Sequence, residues 1–338
     1  MYNFLPRMAR VLIFFRTVIL FGVCSLATFA AASDPLLGVA GIPVDQGKTR
    51  DYNRIFETLA KSGVDVFFPT FLYQQHPVIK SLGFESDFGP NCSSDQPSFY
   101  NLRKHGLLLL IAADSLYSPT RSLPEFESDP LRAVIACAGT ENVLGVLSYD
   151  EPAHMGVSVQ AASALYDRVK AISPGMTVYM VHAPLTLGTP APANYLENVR
   201  AISQFADVLG FDVYPVSNSI AKVADPRAPD KVLLSGKAVT AYMTLMRELA
   251  PNKRYLAVLQ SFAFADQFSA GALRKFPRDL VEKDRMGPTL ADTEAMARAA
   301  LAGGAEVIVW FGGAYTPKSS APHWKATLDV IKLLAGNE

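Results

Sequence analysis

The stretch Val143-Leu144-Gly145-Val146-Leu147-Ser148-Tyr149-Asp150-Glu151-Pro152 decides how this chain is read. Val143–Tyr149 is apolar or small without alternation, which is the pattern of a strand covered on both faces, as in a parallel sheet. Pro152 has no amide hydrogen to give and closes the strand. Two acids stand where the apolar run stops. Successive strand residues point to opposite sides, so one acid can face a site while its neighbour is held behind it. A buried carboxyl beside a second one has its pKa raised, which suits a general acid.

Seven more runs of the same kind are found at Leu36–Val44, Val64–Phe71, Leu107–Asp114, Thr177–His182, Asp207–Val213, Arg254–Ser261 and Glu306–Phe311. Between them lie segments of 3.6 period, at Asp51–Ser62, Val157–Ile172, Asn194–Phe205, Gly236–Leu249 and Thr289–Ala302. Gly63, Gly106 and Gly304 stand where a helix would end and the next strand begin. Eight strand–helix units predict an α/β protein, a single-domain (β/α)8 TIM barrel. An open doubly wound sheet is the alternative. It is weakened by the lack of a glycine-rich phosphate loop after the first strand, and no G-x-S-x-G elbow points to an α/β-hydrolase. Two connections are long, Gln74–Ser98 and Ser217–Lys237, as functional loops often are.

The chain of 338 residues is half hydrophobic, 18% charged, and balanced at 31 basic and 31 acidic residues. That excludes a disordered chain, and the balance argues against a nucleic-acid partner, which would draw a basic excess. Residues 1–32 hold Arg7, Arg10 and Arg16 and no acid, then an apolar run Thr17–Phe29, then Ala30-Ala31-Ala32-Ser33. This is the order of a secretory signal peptide, and its apolar run is short for a membrane span. The expected organisation is therefore a leader at 1–32 and a barrel domain at 33–338, secreted or periplasmic, with no membrane contact after cleavage. Without the leader, 28 basic and 31 acidic residues remain, and two of the three cysteines, Cys92 and Cys137. An oxidising compartment permits a bridge between them, and two separate buried thiols are equally compatible.

In such a barrel the active site lies at the C-terminal ends of the strands. Those ends carry Thr70 and Tyr73, Asp114, Asp150 and Glu151, His182, Asp212 and Tyr214, Gln260, and Trp310. The five histidines, at 76, 105, 154, 182 and 323, show no His-x-x-x-His spacing. No metal or other cofactor is expected, although a carboxylate-held cation at Asp114, Asp150 and Asp212 stays open.

Asp150-Glu151-Pro152 after the fourth strand resembles the Asn-Glu-Pro signature of clan A glycoside hydrolases. The stretches Ala206–Pro215, Val258–Phe262 and Arg285–Thr289 add to a resemblance with bacterial barrels of that type, over roughly residues 36–335. The resemblance implies a glycosidase with a carbohydrate substrate or ligand. It makes Glu151 the proton donor and Trp310 a platform under a sugar ring, with His182 and Tyr214 bonding hydroxyls or orienting Glu151. Their place at the strand ends adds Asp150 and Asp212 as acidic partners of Glu151, and Tyr73, Asp114 and Gln260 as substrate contacts. One departure matters. Clan A retaining enzymes carry a nucleophilic glutamate at the end of strand seven, where this chain reads Tyr255-Leu256-Ala257-Val258-Leu259-Gln260-Ser261. An amide cannot be that nucleophile. Three readings follow: a second carboxylate such as Asp212 or Asp114 activates water, with a carboxyl gap of about 6.5–9.5 Å; the acid pair works with help from the substrate; or the barrel binds glycans without cutting them.

Overall fold

The computed structural model describes residues 34–69, 87–187, 191–216, 222–268, 273–275 and 277–336. The leader 1–32, Thr70 and Tyr73 lie outside the described residues. The strands, in chain order, are β1 (Leu36–Ala40), β2 (Val66–Phe68), β3 (Leu108–Ala112), β4 (Val143–Leu147), β5 (Thr177–His182), β6 (Val208–Val213), β7 (Ala224–Asp225), β8 (Ala228–Val232), β9 (Arg254–Gln260) and β10 (Ala305–Phe311). Eight of them close a parallel barrel in the order β1-β2-β3-β4-β5-β6-β9-β10. The eight apolar runs are these eight strands, so β9 and β10 are the seventh and eighth of the barrel.

Closure depends on small residues inside. A Cβ at Gly145 would lie 2.3 Å from the Thr177 carbonyl oxygen and 2.6 Å from the Tyr179 ring; at Gly210 it would lie 2.3 Å from the Leu256 carbonyl oxygen. Both distances are too short for a side chain, so glycine there lets the neighbouring strands approach and lets Tyr179 fill the barrel. The helices cover the outside. Helix Tyr52–Lys61 buries Ile55, Phe56 and Leu59, and helix Ser235–Leu249 buries Val239, Tyr242 and Met246. Helix Leu290–Ala302 starts in a capping box between Thr289 and Asp292. Gly63, Gly106 and Gly304 have φ of 83°, 70° and 83°, the left-handed turns read from the sequence.

Two elements differ from the reading of the sequence. The first strand ends at Ala40, because Gly41 turns with φ 73° and a short helix, Val44–Thr49, follows Pro43. The long connection after β6 contains the antiparallel ribbon β7–β8, whose second strand is mostly exposed and therefore has no apolar pattern to announce it.

At the N-terminal ends of the strands, acids serve the backbone. Asp65 accepts the Leu37 amide at 2.9 Å. Asp207 accepts the Val178 amide at 2.8 Å, Lys170 Nζ at 2.7 Å and the Tyr166 hydroxyl at 3.0 Å. Among the described residues no helix is long and apolar enough to cross a membrane.

Cys92 and Cys137 form a disulfide that ties the β2–β3 connection to helix Pro130–Ala138 across a sequence separation of 45 residues. A bridge closing such a loop stabilises by about 2–4 kcal/mol. The double variant Cys92→Ala/Cys137→Ala should lose that amount in urea titration. An unchanged midpoint would show that other contacts hold the connection.

Candidate active site

Alternation sorts the strand ends into those that face the lumen and those that face the helices. The upper lumen is lined by Leu110 of β3, Leu147 of β4, Val181 of β5, Asp212 of β6, Val258 of β9, and Val309 and Phe311 of β10, with Asp150 and Tyr214 beside Asp212. It is a narrow pit with about 20 Å³ of space for the centre of a water-sized group. That is room for roughly one such group.

Four carboxyls gather at this end. Asp114 lies in the single helical turn Ala113–Ser115 after β3, Asp150 and Glu151 follow β4, and Asp212 is the next-to-last residue of β6. No basic side chain contributes to the charge state of any of the three aspartates. Burial pushes Asp114 up to about 7. Burial, then the Glu151 charge, then Asp114, hold Asp150 well above the carboxylate range. Burial and Glu151 do the same for Asp212, whose carboxyl is within hydrogen-bonding reach of Glu151. Oδ1 of Asp114 and Oδ1 of Asp212 are buried without a hydrogen-bond partner. Buried polar atoms are nearly always paired, so these two oxygens set Asp114 and Asp212 apart from the fully bonded Asp207.

Glu151 itself has φ of 40°. A side chain other than glycine in that region costs on the order of 1–3 kcal/mol and is held there by its surroundings. Here the Glu151 carbonyl accepts the amides of His154 at 2.8 Å and Met155 at 2.9 Å, and the buried Pro152 fixes the next φ. Tyr195 closes the same corner. Its hydroxyl donates to the Ala183 carbonyl at 2.5 Å, its ring meets His154 edge-on, and burial together with Asp212 and Glu151 raises its pKa. Tyr195 opens a helix rather than ending a strand, and nothing in the sequence singles it out.

Three expected contacts are corrected. His182 follows the inward Val181 and so points outward. It is fully buried against the Ser203 hydroxyl, 3.0 Å away, and the Phe211 ring, and burial pushes it down to about 3. Trp310 lies between the inward Val309 and Phe311 and is 0% exposed on the helix side, so it offers no face to a sugar. The aromatic surface at the lumen is Phe311, stacked with Tyr214 at 5.6 Å and 21°. Gln260 faces inward but its amide is consumed by backbone: Oε1 accepts the Val216 amide at 2.9 Å, and Nε2 donates to the Val216 and Phe262 carbonyls, both at 3.0 Å. It is a clamp between two loops. Asp266, beyond β9, sits in a separate groove 3.7 Å from His323.

The same architecture occurs in solved structures of glycoside hydrolases. The chain superposes on a putative alpha-L-fucosidase from Bacteroides thetaiotaomicron with a TM-score of 0.52 at 12% identity, over 91% of this chain and 97% of that one. A beta-galactosidase from Halorubrum lacusprofundi gives 0.56 at 12% identity, over 89% of this chain and 58% of that one. An endo-beta-1,4-mannanase from Thermotoga petrophila gives 0.52 at 10% identity, over 90% and 78%. No protein-family signature and no curated protein matches the sequence. At these identities the likeness is one of fold: the chain is a (β/α)8 barrel, the architecture that these glycoside hydrolases share.

Two measurements check the site. Gln260→Glu replaces two donated hydrogen bonds by a carboxylate facing two carbonyl oxygens. It should destabilise by about 3 kcal/mol near neutrality and less in acid, where it protonates. Unchanged stability would show that the clamp is dispensable. The folded-state pKa of Asp114 lies above its unfolded value, so its contribution is intact below about pH 4 and is lost as pH rises through about 7. Asp114→Asn should remove that loss. Its stability relative to the parent should grow by up to about 4 kcal/mol between pH 4 and pH 8. A difference independent of pH would mean the Asp114 carboxyl is not protonated in the fold.

Proposed function

We propose that this protein is an exported glycoside hydrolase, with Glu151 as the general acid that protonates the leaving oxygen of an oligo- or polysaccharide. The observation that carries the reading is the gathering of buried Asp114, Asp150 and Asp212 at the C-terminal end of the barrel, with Glu151 within hydrogen-bonding reach of Asp212. Asp150 and Asp212, buried with no cation beside them, hold their protons more tightly than ordinary carboxyls do, which suits a site for proton transfer. Asp150 lines the pit with Asp212 and is itself held well above the carboxylate range by burial and by the charges of Glu151 and Asp114. The stacked Tyr214–Phe311 pair offers an aromatic wall suited to the C–H face of a pyranose. Asp114, with one unpartnered oxygen, is placed to bond a sugar hydroxyl.

Export rests on the leader-like order of residues 1–32 and gains support from the Cys92–Cys137 bridge, since disulfides persist in oxidising compartments. The second reading, a glycan-binding barrel that does not cut, is favoured by one observation: the seventh barrel strand ends in an amide bound to backbone.

Glu151→Gln separates the two. If Glu151 is the acid, release of reducing ends from a glycan panel should fall by about 10²–10⁴-fold, while calorimetric binding of the same glycans persists. Equal cleavage by parent and variant would remove Glu151 from the chemistry. Binding without any cleavage by the parent would establish the second reading.

A further inference from the structure

The pit at the mouth of the barrel has the composition of a cation site. Two acids, Asp150 and Asp212, and three aromatic side chains, Phe68, Tyr214 and Phe311, line it together with aliphatic residues of the strands, and no lysine, arginine or histidine is among its lining residues. With room for the centre of about one water-sized group, it brings both carboxyls to a single small occupant. Asp212 is 6% exposed, and its buried Oδ1 has no hydrogen-bond partner. A buried acceptor left without a donor is costly. A hydroxyl can donate one hydrogen, to one acid. A primary ammonium group donates three, and its charge balances a carboxylate that the surrounding protein leaves uncompensated. Aromatic walls favour the same occupant, because ring faces attract cations.

We propose that the pit seats the primary ammonium group of the carbohydrate that the mouth takes, an amino sugar with a free amine. The proposal rests on the reading of the mouth as a carbohydrate site and names its substrate class. One N–H of the ammonium completes Asp212 Oδ1, and a second is donated to Asp150. The stacked Tyr214–Phe311 pair belongs to the same pit and meets the sugar ring that carries the amine. The size of the pit selects the primary amine: an N-acetyl group or two N-methyl groups exceed one water-sized group and are shut out.

A proton marks the event. In the empty site, burial and the neighbouring carboxyls favour the protonated forms of Asp150 and Asp212. A bound ammonium favours the ionised forms, so binding expels a proton to the solvent. The other titrating groups at this end do not mask the exchange. The carboxyls of Asp114 and Glu151 respond to a cation in the same sense. Burial raises Tyr149 and Tyr195, which stay protonated, and pushes His182, behind β5, down to about 3, where it stays neutral. From β2, β9 and β10 the pit receives only Phe68, Leu256, Val258, Val309 and Phe311, none of which titrates.

The test titrates the protein calorimetrically at pH 6, where an alkyl amine is charged. The ligands are methyl glycosides of gluco, galacto and manno configuration, both anomers, with a primary amine at C2, C3, C4 or C6, and their all-hydroxyl parents. At least one amine should bind about 10-fold or more tighter than its parent. Its N-acetyl and N,N-dimethyl forms should lose that gain. Its binding should release up to about one proton, read from the dependence of the enthalpy on the ionisation enthalpy of the buffer, and the parent should release none. Asp212→Asn and Asp150→Asn should each bring the ratio of amine to hydroxyl affinity toward one; the proton count and the N-methyl series decide the matter without a variant. The aryl glycoside of the preferred amine should then be cleaved in a Glu151-dependent way. Parents bound as tightly as every amine, an amine bound without proton release, or a dimethyl form bound equally well would overturn the inference, and Glu151-dependent cleavage of neutral glycosides would leave the hydrolase reading standing. An amine bound with proton release whose aryl glycoside is not cleaved would uphold the ammonium seat and overturn the hydrolase reading instead. Binding of no sugar would overturn both.

Discussion

In a closed barrel each strand residue has two places to go, the lumen or the helix layer, and its neighbour takes the other. The placement of every group at the mouth follows from that constraint. Asp212 is inside, and Phe211 is therefore outside, where it packs on Tyr242 and His182. Val181 is inside, so His182 is not. Phe311 is inside, so the larger Trp310 becomes part of the outer core. The close approach of strands at Gly145 and Gly210 fixes this register, since a side chain at either position would push its neighbour away.

Asp207 at the N-terminal end of the barrel and the three aspartates at the C-terminal end are treated in opposite ways. At the N-terminal end, burial raises Asp207, but hydrogen bonds from Lys170, Val178 and Tyr166 outweigh it and hold the carboxyl below its usual range. At the C-terminal end Asp114, Asp150 and Asp212 are buried with no cation to offset the desolvation. A carboxyl that is merely structural collects donors. One that keeps an unpartnered oxygen in a buried place is destabilised there, and carboxyls with raised pKa values cluster at functional sites.

Much of this was legible in the chain. Apolar runs without alternation and helical segments ending in glycine define a barrel, because the covered faces and the left-handed turns are properties of the residues themselves. Asp150, Glu151 and Asp212 could be read as mouth residues from their position at strand ends. The direction of His182 and Trp310 could not, since a buried strand is apolar on both sides and carries no sign of which side is the lumen. Once Asp212 is placed inside, the same parity assigns its own strand, but each other strand needs its register to be known first. Tyr195 and the Gln260 clamp depend on contacts across 12 and 44 residues of sequence, to Ala183 and Val216, which no local pattern encodes. The ribbon after β6 escaped notice because its exposed strand has no buried face.

Glu151 is held in a backbone conformation that glycine would adopt at no steric expense, beside carboxyls that asparagine or a small apolar residue would replace with gain. The mouth of this barrel is thus its least stable part per residue, and the scaffold below, with its clamp, its disulfide and its paired acids, carries the difference. A population of variants screened for heat resistance alone would drift toward glycine at 151 and uncharged residues at 114, 150 and 212. It would arrive at a sturdier barrel with a featureless mouth.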